Sequence, residues 1–266
     1  MRPPPFQFHR PKKLAEAIEL IKKGAIPLAG GQALLQELRQ RKIQPSTIFA
    51  LSDLSELSEK ITLTGDVVRI GPMVTIAELL EDKTISTYFP WLIEAARKTG
   101  DVQVRNLGTV IGNVCWADPR ANMAVALLAS DAEIVLLDFV GATQKLSLDN
   151  FFTGFRETII ENSIATAIEI PTFQDSTGKY FEFSRQPQDL ALANVAVVRK
   201  ESLIKLAIGG IHKTPIYLNT TFDISVKHLM GKIEALDLHP IEDQFGSRDY
   251  RCNLVEALLY RAMSVL

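Results

Sequence analysis

Two short stretches of this chain concentrate residue types that can hold a ligand closely without attacking it. The first is "GTVIGNVCWADPRANM", Gly108 to Met123. Gly108-Thr109 and Gly112-Asn113 offer backbone amides, a hydroxyl and a carboxamide within six residues. The second is "PLAGGQALL", in which Gly30-Gly31 falls between an apolar run that reads as a strand and a run that reads as a helix. Amides gathered in such a turn make an anion site of the kind that takes a phosphate. Glycine matters there because a Cβ would hold the phosphate away from the backbone. The turn is not a Gly-x-Gly-x-x-Gly fingerprint, and no Gly-Lys-Ser/Thr follows it as in a P-loop. Alone, a glycine pair is a tight turn. Two glycine-rich turns on two different α/β units can clamp one extended ligand, and a dinucleotide has that length.

The remaining reactive residues narrow the chemistry. Cys115 and Cys252 are too few for a four-thiolate zinc site or a cysteine-ligated iron–sulfur cluster. Each reads as a buried, inert thiol. His9, His212, His228 and His239 are scattered, with no His-x-x-x-His, Cys-x-x-Cys or Ser-His-Asp spacing. No catalytic side chain and no metal ligand is assigned, so redox chemistry would have to use an organic cofactor. Asp118 and Asn122 flank a Pro turn and read as turn or cap residues. Arg105 and Asn106 follow a helix end and are expected to brace the loop. Trp116 reads as a core tryptophan, and Tyr250 and Arg251 as packing residues at the start of the last helix.

The elements that must position these residues follow from periodicity. Pro11 to Gly24 reads as an amphipathic helix with Leu14, Ile18 and Ile21 on one face. "AIPLAGG", "QALLQELRQRK" and "PSTIFALSDL" then read as strand and glycine turn, helix, and buried strand, with the strands parallel. "ITLT" and "VVRIG" flank Gly65-Asp66 as a hairpin. Thr75 caps the next helix, with Glu78 at the capping-box position. "WLIEAARKTG" and "ANMAVALLASD" read as helices and "AEIVLLD" as a strand. "KLSLDNFFTG" reads as a loop and "SIATAIEIP" as a strand ending at Pro171. The turn-like "FQDSTGKY" marks a domain boundary. Beyond it "ALANVAVVRK" and "SLIKLAIGGI" pair as strands, and helices near 225–236 and 250–263 close the chain.

With 266 residues, the chain can form one large domain or two to three small ones. Its 29 basic and 31 acidic residues leave no basic footprint for nucleic acid and no field favouring an anionic membrane. No apolar run approaches the roughly 20 residues that span a bilayer. The N-terminus lacks a signal-type apolar stretch, and a cytoplasmic protein is expected.

The order of these blocks resembles the FAD-binding medium subunit of the molybdenum hydroxylases. That family includes the flavoprotein subunit of aerobic carbon monoxide dehydrogenase and the FAD domain of xanthine dehydrogenase. "FQFHRPKKLAEAIELI", "PLAGGQALL", "FALSDLSEL", "VRIGPMVTIAEL" and "TGDVQVRNLGTVIGNVCWADPRANM" are similar to its N-terminal blocks. "FSRQPQDLALANVAV", "AIGGIHKTP" and "GSRDYRCNLVEALLYRAM" are similar to its C-terminal ones. The resemblance implies an α+β chain: a two-subdomain α/β FAD-binding fold of the PCMH type, then a smaller α+β C-terminal domain. The expected boundaries are 1–55, 56–173 and 180–266.

It further implies that Pro27, Leu28, Ala29, Gly30, Gly31, Gln32, Ala33 and Leu34 wrap the pyrophosphate of FAD. Gly108, Thr109, Gly112, Asn113 and Cys115 would line the second side, with Thr99 nearby and Ala165 at the border. Asn122 and Glu182 complete the implied cofactor set. The implied partners are a 2Fe-2S small subunit and a molybdopterin-binding large subunit, and a homodimer is allowed.

This chain departs from the family pattern at several of these positions. Gln32 replaces a Thr, Ile111 a Gly, Asn122 an Asp, Glu182 a Lys and Gln186 an Arg. The family's Lys lies near the flavin, so a carboxylate at 182 would oppose the anionic reduced form. Three readings stay open: retained FAD in an electron-transfer subunit, a stand-alone FAD-dependent oxidoreductase acting on a small organic substrate, and an interaction subunit that has lost FAD.

Overall fold

The computed structural model describes residues 2–173, 175–236 and 239–266. Gln174, in the expected boundary stretch, lies outside the described residues. The first 55 residues form helix α1 (Leu14–Lys22), helix α2 (Leu34–Arg39) and a three-stranded parallel sheet. Its strands β1 (Gln7–His9), β2 (Ile26–Leu28) and β3 (Thr47–Ala50) lie in the order β1-β3-β2. The 3.6-residue period buries Ala17 and Ile21 of α1 against Phe49, Leu51 and Leu54. Gly24, at φ +76, ends that helix as expected from the sequence.

The middle of the chain carries a five-stranded sheet that is antiparallel throughout. Strands β4 (Ile61–Thr64) and β5 (Val67–Ile70) form the expected hairpin. Helices α3 (Ile76–Glu81), α4 (Lys83–Tyr88), α5 (Pro90–Lys98), α6 (Val102–Leu107), α7 (Val110–Cys115) and α8 (Asn122–Leu128) follow. The sheet is completed by β6 (Glu133–Asp138), β7 (Thr143–Ser147) and β10 (Ser163–Pro171), in the order β4-β5-β10-β6-β7. A two-stranded ribbon, β8 (Phe152–Gly154) and β9 (Glu157–Thr158), lies between them in the chain. Thr75 and Glu78 make the reciprocal capping box. Helix α8 is buried on every side, which its apolar run from Met123 to Leu128 requires. The stretch read as a loop, "KLSLDNFFTG", instead supplies the last three residues of β7, which pair with β6, and the whole of β8, which pairs with β9.

The C-terminal part is a four-stranded antiparallel sheet of β11 (Thr177–Phe183), β12 (Ala193–Lys200), β13 (Leu203–Gly209) and β14 (Ile216–Thr221). Helices α9 (Val226–Glu234) and α10 (Arg248–Ser264) cover one face, packing on Val195, Val197, Leu206 and Ile208. The other face does not meet solvent. Tyr180, Ala196, Val198 and Ala207 join the same apolar cluster as Trp91, Leu92 and Val125 of α5 and α8. Gly178 is obligatory in this contact, since a Cβ there would lie 2.3 Å from the Trp91 ring. One core thus crosses from the middle of the chain into the C-terminal sheet.

Candidate functional site

The two glycine stretches, 78 positions apart at Gly30 and Gly108, meet in space. The reason is backbone contact. A Cβ on Gly30 would sit 1.8 Å from the Leu107 carbonyl oxygen. No residue but glycine fits while the two loops touch. Gly31 is required for a different reason: its φ is +73, in the left-handed region. The second loop is pinned to the start of α3 by the Ile76 amide donating to Gly108 O (2.9 Å) and the Val110 amide donating to Val74 O (3.0 Å).

Between them opens a cavity of about 970 Å³, at the large end of the range for small-molecule and cofactor sites. Pro27 to Leu34 form one wall. Gly108, Thr109, Gly112, Asn113 and Cys115 form another, and Thr99, Asn122 and Ala165 border it. Ala165 sits at a bulge where β10 shifts register against β6, which turns this part of the strand out of the regular ladder. Of the implied cofactor residues, Glu182 is the exception and does not line the cavity.

Several local roles differ from those expected. The segment after Gly108 is not an open turn. Thr109 is the N-cap of α7, and its hydroxyl oxygen accepts from the Gly112 amide at 3.0 Å. That hydroxyl and that amide are therefore already paired with each other. Asn113 is different: its buried side-chain oxygen has no hydrogen-bond partner among the described residues, although it belongs to a cavity-lining residue. A buried carboxamide oxygen left this way calls for a donor from a ligand or water. Ile111 lines the cavity, but it is only 4% exposed and packs in the central core. Gln32 bends back on its own loop, with its amide 3.5 Å from Gly30 O. Arg105 braces the loop as expected, donating to Gly100 O at 2.7 Å, though from within α6 rather than after a helix end.

Glu182 lies behind Asn122. On β11 it shares a face with Tyr180, and that face points at α8. Asn122 Nδ2 donates to Glu182 Oε2 at 2.7 Å, and Asn194 Nδ2 donates to the Tyr180 hydroxyl at 3.1 Å. Burial pushes the Glu182 carboxyl above the ordinary range, against the pull of the Lys98 ammonium and the Asn122 hydrogen bond. Burial likewise pushes the Cys115 thiol up to about 12, so it is inert as a nucleophile at neutral pH.

A chain of alternating charges, which sequence reading did not find, runs along the cavity. Asp118 is wholly buried and holds two arginines: Arg120 Nε and Nη2 at 2.9 Å each, and Arg156 Nη2 at 2.9 Å. Arg156 continues to Glu37 of α2 at 3.0 Å and lies 4.5 Å over the Trp116 ring. Arg120 continues to Asp243 at 3.7 Å, and Asp243 to the wholly buried Arg251 at 2.8 Å. Burial opposes ionisation of Asp118, but the two guanidiniums outweigh it and hold the carboxyl below its ordinary value. The Pro-turn role expected for Asp118 is thus incomplete, and Trp116 is a wall residue bonded to Glu37 rather than a core tryptophan. The C-terminal part adds Arg185, Asp189, Leu190, Leu192 and Phe245 to the lining. For Arg185, Asp189, Leu190 and Leu192 the sequence signal was membership of a block similar to the family's C-terminal ones; Phe245, just before the last such block, carried none.

Residues 4–173 match the model of the FAD binding domain in molybdopterin dehydrogenase. The chain is 32% identical to the glyceraldehyde dehydrogenase medium chain of Sulfolobus acidocaldarius, over 98% of each sequence. It is 29% identical to the nicotine 6-hydroxylase medium subunit of Paenarthrobacter nicotinovorans, over 99% of this chain and 98% of that one. Its fold superimposes on a chain of carbon monoxide dehydrogenase from Hydrogenophaga pseudoflava with a TM-score of 0.90 at 29% identity, covering 99% and 98%.

Proposed function

We propose, from the premise that this chain belongs to the family of FAD-binding domains of molybdopterin dehydrogenases, that it is the electron-transferring medium subunit of a molybdenum hydroxylase-type oxidoreductase. The chain is an FAD-binding oxidoreductase component. In our reading it accepts electrons from a 2Fe-2S small subunit, stands beside a molybdopterin-binding large subunit, and works in the cytoplasm. Residues 1–55 and 56–173 are the two FAD-binding subdomains, and 180–266 the third unit.

The observation that carries this reading is the joined pair of glycine loops around one cavity, with the Asn113 carboxamide oxygen unpartnered in its wall. The residues present fit FAD. The Gly30–Gly31 turn adds no side chain to the lining and lets the two loops close around one cavity. The volume suits an extended cofactor, and Ile111, although part of the lining, is 4% exposed. We assign Pro27 to Leu34 to the pyrophosphate and Gly108, Thr109, Gly112, Asn113 and Cys115 to the second side. FAD supplies the redox chemistry when bound, passing electrons between a one-electron donor and an acceptor. The chain's own part is to bind, orient and shield it, and no side chain is needed as acid or base.

The relatives' names attach medium chains to glyceraldehyde, nicotine and carbon monoxide enzymes. We infer that the substrate is chosen by a partner subunit and not by this cavity. Glu182 stands outside the lining, and Ile111, which lines the cavity, is 4% exposed; an open cavity of this volume beside them favours retained FAD over an interaction subunit that has lost it. The test is gel filtration of the purified chain with added FAD, alone and co-expressed with candidate Fe–S and large subunits. A comigrating flavin band in a three-subunit complex is expected. Flavin bleached by a small organic substrate with no partner present would replace this reading with a stand-alone oxidoreductase. A folded chain that takes up no FAD would end it.

A further inference from the structure

The segment before α10 is built as a strap. Asp243 and Gly246 form an isolated antiparallel bridge, and the Phe245 amide donates to Asp243 Oδ1 at 2.9 Å. Arg251, wholly buried, holds the strap to the body of the protein. Its guanidinium donates to Asp243 Oδ1 (2.8 Å) and Gly246 O (3.3 Å) on the strap. It also donates to Leu192 O (2.8 Å) and Gly210 O (3.2 Å) on the loops beneath. A second guanidinium, Arg120, reaches the other oxygen of Asp243 from the cavity wall.

What the strap presents is Phe245. This ring belongs to none of the three apolar clusters among the described residues, and it is 36% exposed, yet it lines the cavity. Its face carries the Arg185 guanidinium at 3.8 Å from the ring centroid, a cation–π contact that fixes the plane of the ring. Arg185 is in turn tethered to Asp189, and both line the cavity too. A lone exposed aromatic needs no explanation. An aromatic held at backbone, ring face and strap, but contributing nothing to a core, is built to cover something. Leu190 and Leu192, which follow Arg185 and Asp189 in the chain and are tied to the strap through Arg251, add apolar lining on this side, and no glycine turn lies on that segment. It suits a flat ring system and not a phosphate.

We propose that Phe245 is a shutter over the redox-active ring of the bound cofactor, a positioning residue that limits which molecules reach that ring. This rests on the FAD reading above. The shutter decides whether small solutes can reach the ring from this side, and so which acceptors compete with the intended one.

The test is collisional quenching of flavin fluorescence by acrylamide, a neutral probe insensitive to the nearby arginines, in the full chain at saturating FAD. Phe245→Ala is expected to fold normally, because the ring is outside every core cluster. It should raise the quenching constant severalfold, and Phe245→Tyr should return it to the wild-type value. Equal quenching in wild type and Phe245→Ala, with both loaded, would overturn the shutter and leave the cofactor reading intact. Failure of the wild-type chain to load FAD would remove the cofactor reading, and the shutter with it.

Discussion

Replacing Gly30 by alanine tests whether contact between the two glycine loops builds the site. The new Cβ would lie 1.8 Å from Leu107 O and 2.7 Å from its carbonyl carbon. Ordinary contact begins at 3.4 Å, so the loops must part by about 1.6 Å at this point, the difference between 3.4 and 1.8. Both partners are backbone, and neither can rotate aside. Forcing a methyl into such a contact costs about 1–3 kcal/mol. For a chain of this size that lowers the Tm by about 2–12 °C. If the free variant relieves the contact by parting the loops and FAD requires them closed, the part of that cost not already incurred in the free protein appears on binding, as an affinity loss of up to about 150-fold. Thermal unfolding of the FAD-free protein and a fluorescence titration with FAD measure the two effects. Gly231→Ala is the control: this exposed glycine lies within α9 with nothing within 4 Å of its Cβ position. It should gain about 0.5–1 kcal/mol from helix propensity with FAD affinity unchanged. A Gly30→Ala protein with wild-type Tm and wild-type affinity would refute the argument that loop contact shapes the cavity.

Two charge substitutions probe the walls. Asp118→Asn leaves the Arg120 and Arg156 guanidiniums without their buried counter-charge and should cost about 3–5 kcal/mol at neutral pH. The folded-state pKa of Asp118 is depressed, so its stabilisation is present above the unfolded value of 3.8 and is lost as pH falls through the lower folded value. Melting curves of wild type and variant should therefore converge below pH 3.8; a constant gap would show that the loss is not ionic. Glu182 has the opposite sign. Its raised pKa means that its buried charge destabilises the fold increasingly as pH rises from 4.5 through the folded value. Glu182→Gln, which can still accept from Asn122, should melt higher than wild type at neutral pH, and the advantage should vanish below pH 4.5. A variant less stable at neutral pH would mean that the carboxylate is held by a stronger partner than Asn122 and Lys98.

Much of the local structure was legible because it follows from short-range rules. The α1 period, the Gly24 stop, the Thr75–Glu78 capping box and the β4–β5 hairpin each need only a handful of neighbouring residues. Short pieces were harder to read. Strands β1, β8 and β9 have two or three residues, too few for a period to register. Helix α7 was hidden because glycine and asparagine signal turns locally, whereas here Thr109 caps a helical turn through them. Tertiary context overrode propensity at that point.

The sequence by itself determined the family, through the order of its blocks, and two requirements for glycine, through the loop compositions at Gly30-Gly31 and Gly108. The reason it offered for Gly30, close approach of a phosphate, is not the one the fold shows. Tertiary structure decided that Gly30 is small because Leu107 O stands against it. It also decided that Glu37 and Arg156, 119 residues apart, share an ion pair, that Glu182 sits behind Asn122 rather than in the cavity, and that Phe245 reaches the site. Charge pairing and cavity walls depend on distances between segments remote in sequence. Those distances are set by the packing of the shared core and are written in no single stretch of residues.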